Sequence, residues 1–421
     1  MKKIAAFFTA FILFIICTII VHFAVSGTLS STGKGFGTWT NPYKDLAYTA
    51  ISKNIDDDTC LMLGSSEFQY GRKTPYHPTN MFRQLDMNAM CIGAAYNQSL
   101  SHAITLGSIG NNLKNRKVFL ILSPAWFDKE GVKNVAFAVR FSETEYVEML
   151  KNPNLSDELK RDIAQRCRTL LEEDPSLGGN VKRYTKLYVD ENAGFFERRY
   201  SRFRIGFLRE KEAINVSTLW KFSGKKKYEE FMHKKKGKNN KAYTPRDEKK
   251  LSLTKTDWDY MKDLAYEDYL KTPHDNQFHM LNRNYNKKIK PVLKKQKGAM
   301  VDRKFTTSSP EYGDLDLFLR VCDELGIESK IVLLPINGYW YDYTGFSRDA
   351  RKVLPGQIKS VIDRHNGVHF VSFYDKGYDK GFLADVFHPT GLGWVDINQE
   401  AYDFFNEKNK TGVNENEEDI F

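Results

Sequence analysis

The chain has 421 residues, 41% of them hydrophobic, which is ordinary for a globular protein and enough for one large or two modest domains. Its formal charge is +10 with a pI near 9.0, favouring a polyanionic partner: nucleic acid, anionic lipid or a phosphate polymer. No helix-turn-helix, zinc-finger or RNA-binding signature accompanies the charge, so nucleic acid ranks last, and the spacing of Cys17, Cys60, Cys91, Cys167 and Cys322 suits neither a metal site nor a small disulfide scaffold.

Residues 1–27 read as a membrane anchor. Ile4 to Val21 carries no charge over 18 residues. As a helix that run is about 27 Å long, close to a hydrocarbon core of roughly 30 Å. Lys2 and Lys3 precede it, which keeps the amino end cytoplasmic and sends the rest outward. A cleaved signal peptide is the rival, with Ala24-Val25-Ser26 as a small-x-small site. The run is longer than the usual 7–15 residues of such a segment, which favours an uncleaved anchor. Residues 26–39 are rich in Gly, Ser and Thr and read as a stalk.

Residues 28–140 hold the first part of an α/β domain. Cys60–Leu63, 90–92 and 118–122 are short apolar runs that read as buried parallel strands. Leu100, Ile104, Leu106, Ile109 and Leu113 recur at near-helical spacing between the second and third. Strands alternating with helices imply a mainly parallel sheet covered on both faces. Gly64 ends the first strand and permits a sharp turn, which sets Ser65 and Ser66 at the carboxyl edge where open α/β folds place their sites. A Gly-Ser-Ser sequence is also an ordinary turn. Gly93 ends the second strand, and Ser123-Pro124 follows the third on the same rim.

Residues 141–305 read as a helical insertion, with amphipathic stretches at 146–150, 163–171 and 258–270. Between Lys221 and Lys250 there are twelve Lys/Arg against four Asp/Glu. A single lysine there is most simply solvated. As a group, Lys225, Lys226, Lys227, Lys234, Lys235 and Lys236 suit a polymer or lipid surface, each basic residue near an anionic membrane being worth about 1 kcal/mol. Residues 306–410 return to α/β. A helix follows Ser309-Pro310, residues 330–335 form a central strand, and Asn337 and Gly338 lie just past it. Asn337 is a candidate donor in the site, though an asparagine in a turn needs no such role. The last strand spans 368–373, a closing helix runs from Trp394 to Phe405, and the tail 411–421 is acidic.

The loop after the last strand changes the weight of Gly64-Ser-Ser. It holds Asp385-Val-Phe-His388. An Asp three residues before a His can bond one ring nitrogen and fix the tautomer, leaving the other nitrogen to take a proton from a serine. A serine turn after the first strand with Asp-x-x-His after the last resembles the block order of the SGNH (GDSL-like) hydrolases, whose nucleophile is the serine two places after the glycine, here Ser66. Further motifs narrow the match: Gly64-Ser-Ser-Glu67, Gln98-Ser-Leu-Ser-His102, Ser123-Pro-Ala-Trp-Phe127, Ser309-Pro-Glu-Tyr312, Pro335-Ile-Asn-Gly338, Trp340-Tyr-Asp-Tyr-Thr-Gly345 and Gly393-Trp394. Together they resemble the DltD family of D-alanyl-lipoteichoic acid biosynthesis proteins of Gram-positive bacteria. Ala125 stands where that family suggests Gln, and Tyr96 where it suggests Gly.

The resemblance implies an α/β/α three-layer SGNH-like fold with a helical insertion and an N-terminal transmembrane helix. It implies Ser66 as nucleophile, His388 as base and Asp385 as its orienting carboxylate, with Gly93, Gln98 and Asn337 as oxyanion or substrate contacts. It further implies transfer of D-alanine to lipoteichoic acid without a cofactor or metal, outside the membrane. The partners would be a membrane-bound O-acyltransferase and, indirectly, the D-alanyl carrier protein. A secreted esterase with the same triad and a non-catalytic assembly factor are the other two expectations.

Overall fold

The computed structural model describes residues 2–30, 34–85, 87–226, 255–305 and 308–407. Five parallel strands form one sheet: β1 Cys60–Leu63, β2 Ala89–Ile92, β3 Lys117–Leu122, β4 Glu328–Leu333 and β5 Val368–Ser372, in spatial order β2-β1-β3-β4-β5. The order reverses beside β1, which opens a crevice at the carboxyl ends of β1 and β3. Each strand is a short apolar run because both faces are covered. β1, β2 and β3 are buried throughout, whereas the edge strand β5 is half-exposed.

The helices that matter below are α1 Lys2–Ser30, α2 Ser99–Ile109, α3 Glu143–Lys151, α4 Asp157–Leu170, α5 Pro175–Tyr188, α6 Phe195–Leu219, α7 Lys255–Lys271, α8 Pro310–Leu325, α9 Gly338–Tyr343, α10 Arg348–Ile362 and α11 Gly391–Asn406. Alternate strand residues feed the two faces. Leu61, Leu63, Leu120 and Leu333 pack with residues of α2, α3, α8 and α10. Met62, Cys91, Phe119 and Val332 pack with Trp258 and Met261 of α7 and Trp394 and Val395 of α11. This is the expected three-layer α/β sandwich. The stretch 141–305 shares both hydrophobic clusters: α3, α4 and α5 extend the first, and α7 joins the second.

Cys60, Cys91, Cys167 and Cys322 are buried free thiols, and burial pushes Cys60 and Cys91 up to about 12, so they act as small apolar residues. The window Lys2–Ala24 has mean hydropathy 2.9, is long and apolar enough to cross a membrane, and is not buried against the body. Of the six basic residues singled out in the sequence, Lys225 and Lys226 are exposed. Lys227, Lys234, Lys235, Lys236 and the acidic tail lie outside the described residues.

Candidate active site

β1 delivers its last residues to the rim. The ladder runs on past it, Gly64 N–H donating to Ile92 O at 3.0 Å. Buried His102 of α2 braces the turn from below, its Nε2 donating to Gly64 O at 2.9 Å; burial pushes this imidazole down to about 3, so it stays neutral. The two serines then part. Ser65 turns inward and is buried, its Oγ donating to Ala94 O at 3.1 Å and its N–H to Glu67 Oε1 at 2.6 Å. Ser66 opens the short 3₁₀ turn Ser66–Gln69 with its Oγ 2.9 Å from His388 Nε2.

His388 is delivered by a loop that closes on itself. Leu383 and Pro389 form a bridge, and Ala384 N–H donates to His388 O at 2.7 Å. Asp385, buried within it, accepts from His388 Nδ1 at 2.8 Å (Oδ1) and 3.0 Å (Oδ2), and from the backbone N–H groups of His388 and Phe387. Nδ1 therefore carries the proton, and Nε2 is left to accept from Ser66. Burial alone would raise the Asp385 carboxyl. The hydrogen bond and charge of His388 and the charge of Lys288 outweigh it and hold the group at about 2.

Two further residues complete this arrangement. Tyr70 lays its ring flat on the His388 imidazole, centroids 3.7 Å apart at 15°. Lys288 reaches Asp385 Oδ2 at 3.2 Å and also the Tyr70 hydroxyl, its ammonium 4.2 Å from the Tyr70 ring centroid. Tyr70 lies four residues past Ser66, a proximity visible in the sequence. Lys288 lies 97 residues from Asp385 and carries no motif.

Lys288 is held there by the aromatic run of α9. Phe278, Met280, Ile289 and Trp340 form a separate cluster, with Phe278 edge-on to Trp340 at 5.2 Å and 90°. Tyr343 OH donates to Leu293 O, and Met300 N–H to Thr344 O. The run 340–345 thus clamps the segment around Lys288 over the rim. Asn337 belongs to the same clamp. Its Oδ1 caps α9 by accepting Trp340 N–H at 2.9 Å, its Nδ2 donates to Phe278 O at 3.0 Å, and its N–H donates to Val386 O at 2.8 Å. These bonds tie Asn337 to the Asp385–His388 loop and to the start of α9, which gives it a positioning role.

Gly93 also serves the packing of the rim. A Cβ here would lie 2.5 Å from Gly64 O, so only glycine lets β2 pass this close to the serine turn. Its N–H is donated to Asp45 Oδ2 at 3.2 Å, so in this structure it faces that carboxylate. Tyr96 adopts φ +76°, the left-handed conformation that glycine favours, so the backbone shape is kept although the glycine is not. Gln98 heads α2 without capping it, and its buried Oε1 has no hydrogen-bond partner among the described residues. Ala125 is exposed in the turn after β3. Among the described residues no group of three or more His, Cys, Asp or Glu could hold a metal ion.

The family model described as DltD protein matches residues 36–406, which include the serine turn, the aromatic clamp and the Asp-x-x-His loop. The chain belongs to the DltD family. Protein DltD of Bacillus subtilis (strain 168) is 27% identical over 361 residues, covering 85% of this chain and 84% of that protein. Protein DltD of Staphylococcus aureus (strain NCTC 8325 / PS 47) is 29% identical over 340 residues, covering 80% and 78%, and that of Lacticaseibacillus rhamnosus is 24% identical over 359 residues, covering 81% and 76%. DltD membership assigns the chain to D-alanylation in lipoteichoic acid biosynthesis. The DltD match begins just after α1, at the first residues of the packed body.

Proposed function

We propose that the chain is an extracytoplasmic, membrane-anchored acyltransferase that passes D-alanine through a Ser66 acyl-enzyme to lipoteichoic acid. The observation that carries this reading is the continuous Ser66 Oγ–His388 Nε2, His388 Nδ1–Asp385 relay at the carboxyl edge of the sheet. Ser66 Oγ attacks the carbonyl carbon of an activated D-alanyl donor while His388 Nε2 takes its proton. The tetrahedral intermediate collapses, the donor's leaving group departs with that proton, and D-alanyl-Ser66 remains. A hydroxyl of a glycerol-phosphate unit then gives its proton to Nε2 and attacks the same carbon, and Ser66 Oγ regains the proton as the D-alanyl ester leaves.

The oxyanion faces the N–H of Ser66 itself, since the first N–H groups of a helical turn have no partner within it. Asp385 stays ionised throughout and balances the imidazolium. Tyr70 covers one face of His388 and limits water there, which favours a polymer hydroxyl over hydrolysis.

A single α1 crossing with Lys2 and Lys3 inside leaves this site outside, where a membrane-bound O-acyltransferase would supply D-alanine charged in the cytoplasm on the D-alanyl carrier protein. The basic stretch that includes Lys225 and Lys226 suits the phosphates of the acceptor. The test is the D-alanyl ester content of cells whose only copy is Ser66→Ala. Esters should vanish while the protein remains in the membrane. Normal ester content would overturn the transferase reading and leave the esterase and assembly-factor roles, which hydrolysis of small esters by the unsubstituted protein would separate.

A further inference from the structure

Helix α6 shows solvent a line of large aromatic rings. Phe196, Tyr200, Phe203 and Phe207 are 84%, 48%, 76% and 60% exposed. Their spacing of four, three and four residues puts them on one narrow stripe of the helix. α6 buries Ser201, Ile205, Ala213, Val216 and Ser217; the two that lie within the length of the stripe, Ser201 and Ile205, belong to another row. A water-facing helix avoids such a continuous apolar line.

The stripe ends where the anchor begins. Glu210 continues the same row, and its Oε2 lies 2.7 Å from His22 Nδ1 of α1. His22 is the first polar residue after the uncharged run Ile4 to Val21, so it marks the level at which α1 leaves a bilayer. From Glu210 back to Phe196, α6 extends about 21 Å from that point. Basic side chains flank the rings: Arg199 and Arg202 are exposed, and the Arg199 guanidinium sits 5.9 Å from the Phe195 ring centroid. Aromatic rings on one face with arginines beside them are the make-up of a helix lying in a membrane interface.

We propose that α6 lies in the plane of the membrane surface, with the Phe196–Tyr200–Phe203–Phe207 line sunk into the boundary between headgroups and acyl chains and Arg199 and Arg202 on lipid phosphates. This rests on α1 being a membrane anchor. A lone anchor would leave the body free to swing, whereas a second contact fixes its tilt. α6 is firmly joined to the body. Arg204 binds Glu143 of α3 at 2.6 and 3.0 Å, Glu212 binds Thr144 at 2.8 Å, and α3 packs in one core with α2, whose first turn lies at the serine rim. The interface helix thereby holds Ser66 at a set height and orientation above the bilayer, within reach of a membrane-tethered polymer.

The native tryptophans make the test direct. All six, Trp39, Trp126, Trp220, Trp258, Trp340 and Trp394, are buried. The full chain carrying Phe203→Trp is reconstituted in vesicles of phosphatidylglycerol and phosphatidylcholine brominated at shallow or deep acyl positions. Phe14→Trp in the anchor and Lys352→Trp on α10 serve as references, Lys352 being 75% exposed. Emission above that of the unsubstituted protein should be quenched for Phe203→Trp by shallow bromines at least about twofold more than by deep ones, as for rings roughly 5–10 Å into the boundary. Aqueous iodide should not reach it. Phe14→Trp should respond to deep bromines, and Lys352→Trp to iodide alone.

If Phe14→Trp responds to bromines and Phe203→Trp behaves like Lys352→Trp, the anchor stands and the interface helix is wrong. If Phe203→Trp is shielded from both bromines and iodide, protein covers the stripe and the lipid assignment is overturned. If Phe14→Trp itself fails to respond, the anchor reading fails first and the interface helix falls with it.

Discussion

Replacing Lys288 by Met removes a positive charge from the edge of the relay while keeping a side chain of similar length. Lys288 Nζ is 3.2 Å from Asp385 Oδ2, and that oxygen is 3.0 Å from His388 Nδ1, so the ammonium and the imidazole lie within about 6 Å of each other. At that separation an effective dielectric of ~20 gives about 3 kcal/mol between unit charges. The Lys288 side chain is 39% exposed, and water screens it. A dielectric of ~60 leaves about 1 kcal/mol, roughly a fivefold change in an equilibrium. The sign follows from like charges: Lys288 opposes a positive charge on the ring, so its loss makes the imidazolium easier to form. The base must be neutral to take the Ser66 proton, so the acidic limb of the pH profile moves upward. The other groups facing His388 stay in place: Tyr70, and Glu67, which burial pushes upward. The assay is the rate of Ser66 phosphonylation by a small serine-directed phosphonate as a function of pH, which needs neither donor nor polymer. On the acidic limb Lys288→Met should be slower by roughly 3–10-fold, with little change at the plateau. Lys288→Arg should keep the limb in place. An unmoved limb in Lys288→Met, or one shifted to lower pH, would refute the electrostatic reasoning.

Ser65→Ala should label with the phosphonate as the unsubstituted protein does and lose about 1 kcal/mol of stability, the net value of its buried bond to Ala94 O, read by denaturant unfolding. Asp385 is depressed from 3.8 to about 2, so its stabilisation is present above the unfolded pKa and lost as pH falls through the folded one. Asp385→Asn should therefore be less stable by about 2 kcal/mol at pH 7, a difference that vanishes near pH 2. Tyr96→Gly should stabilise the chain by up to about 1 kcal/mol by relieving φ +76°, whereas Tyr96→Ala keeps the strain and should give no gain. Reversing Lys225, Lys226, Lys227, Lys234, Lys235 and Lys236 to Glu should slow transfer to the polymer but not phosphonate labelling, and should flatten a salt dependence set by screening over about 8 Å. An unchanged polymer rate would make that stretch a solvated loop.

The legible parts of the fold were those where one local rule decides. An apolar run ended by Gly64 could only be a buried strand meeting a turn, and Asp385-x-x-His388 set a carboxylate within reach of a ring nitrogen whatever lay between. Choosing Ser66 over Ser65 needed the family resemblance, because both follow the glycine; the structure separates them by what Ser65 Oγ and N–H already bond. Gly93 and Asn337 were read from their place past a strand and from the resemblance, and neither reveals who takes a donor. Asp45 and Phe278, far off in sequence, take theirs. Lys288 was hidden among many lysines in a segment without a motif, and it is brought to Asp385 by the aromatic clamp of α9 together with the bonds of Leu281 N–H and Asn284 Nδ2 to Ala384 O. The same clamp explains why the run 340–345 is so recognisable without touching the relay: Trp340 and Tyr343 hold the segment that does.

The central claim is that D-alanine rests on Ser66 between donor and acceptor. Membranes supplied with radiolabelled D-alanine and the complete charging system, then quenched in acid, would show it by peptide mapping of this chain. Label is expected on the peptide bearing Ser66 and lost in Ser66→Ala together with transfer to lipoteichoic acid. Continued labelling of the polymer by Ser66→Ala, or label on Ser65, would contradict it.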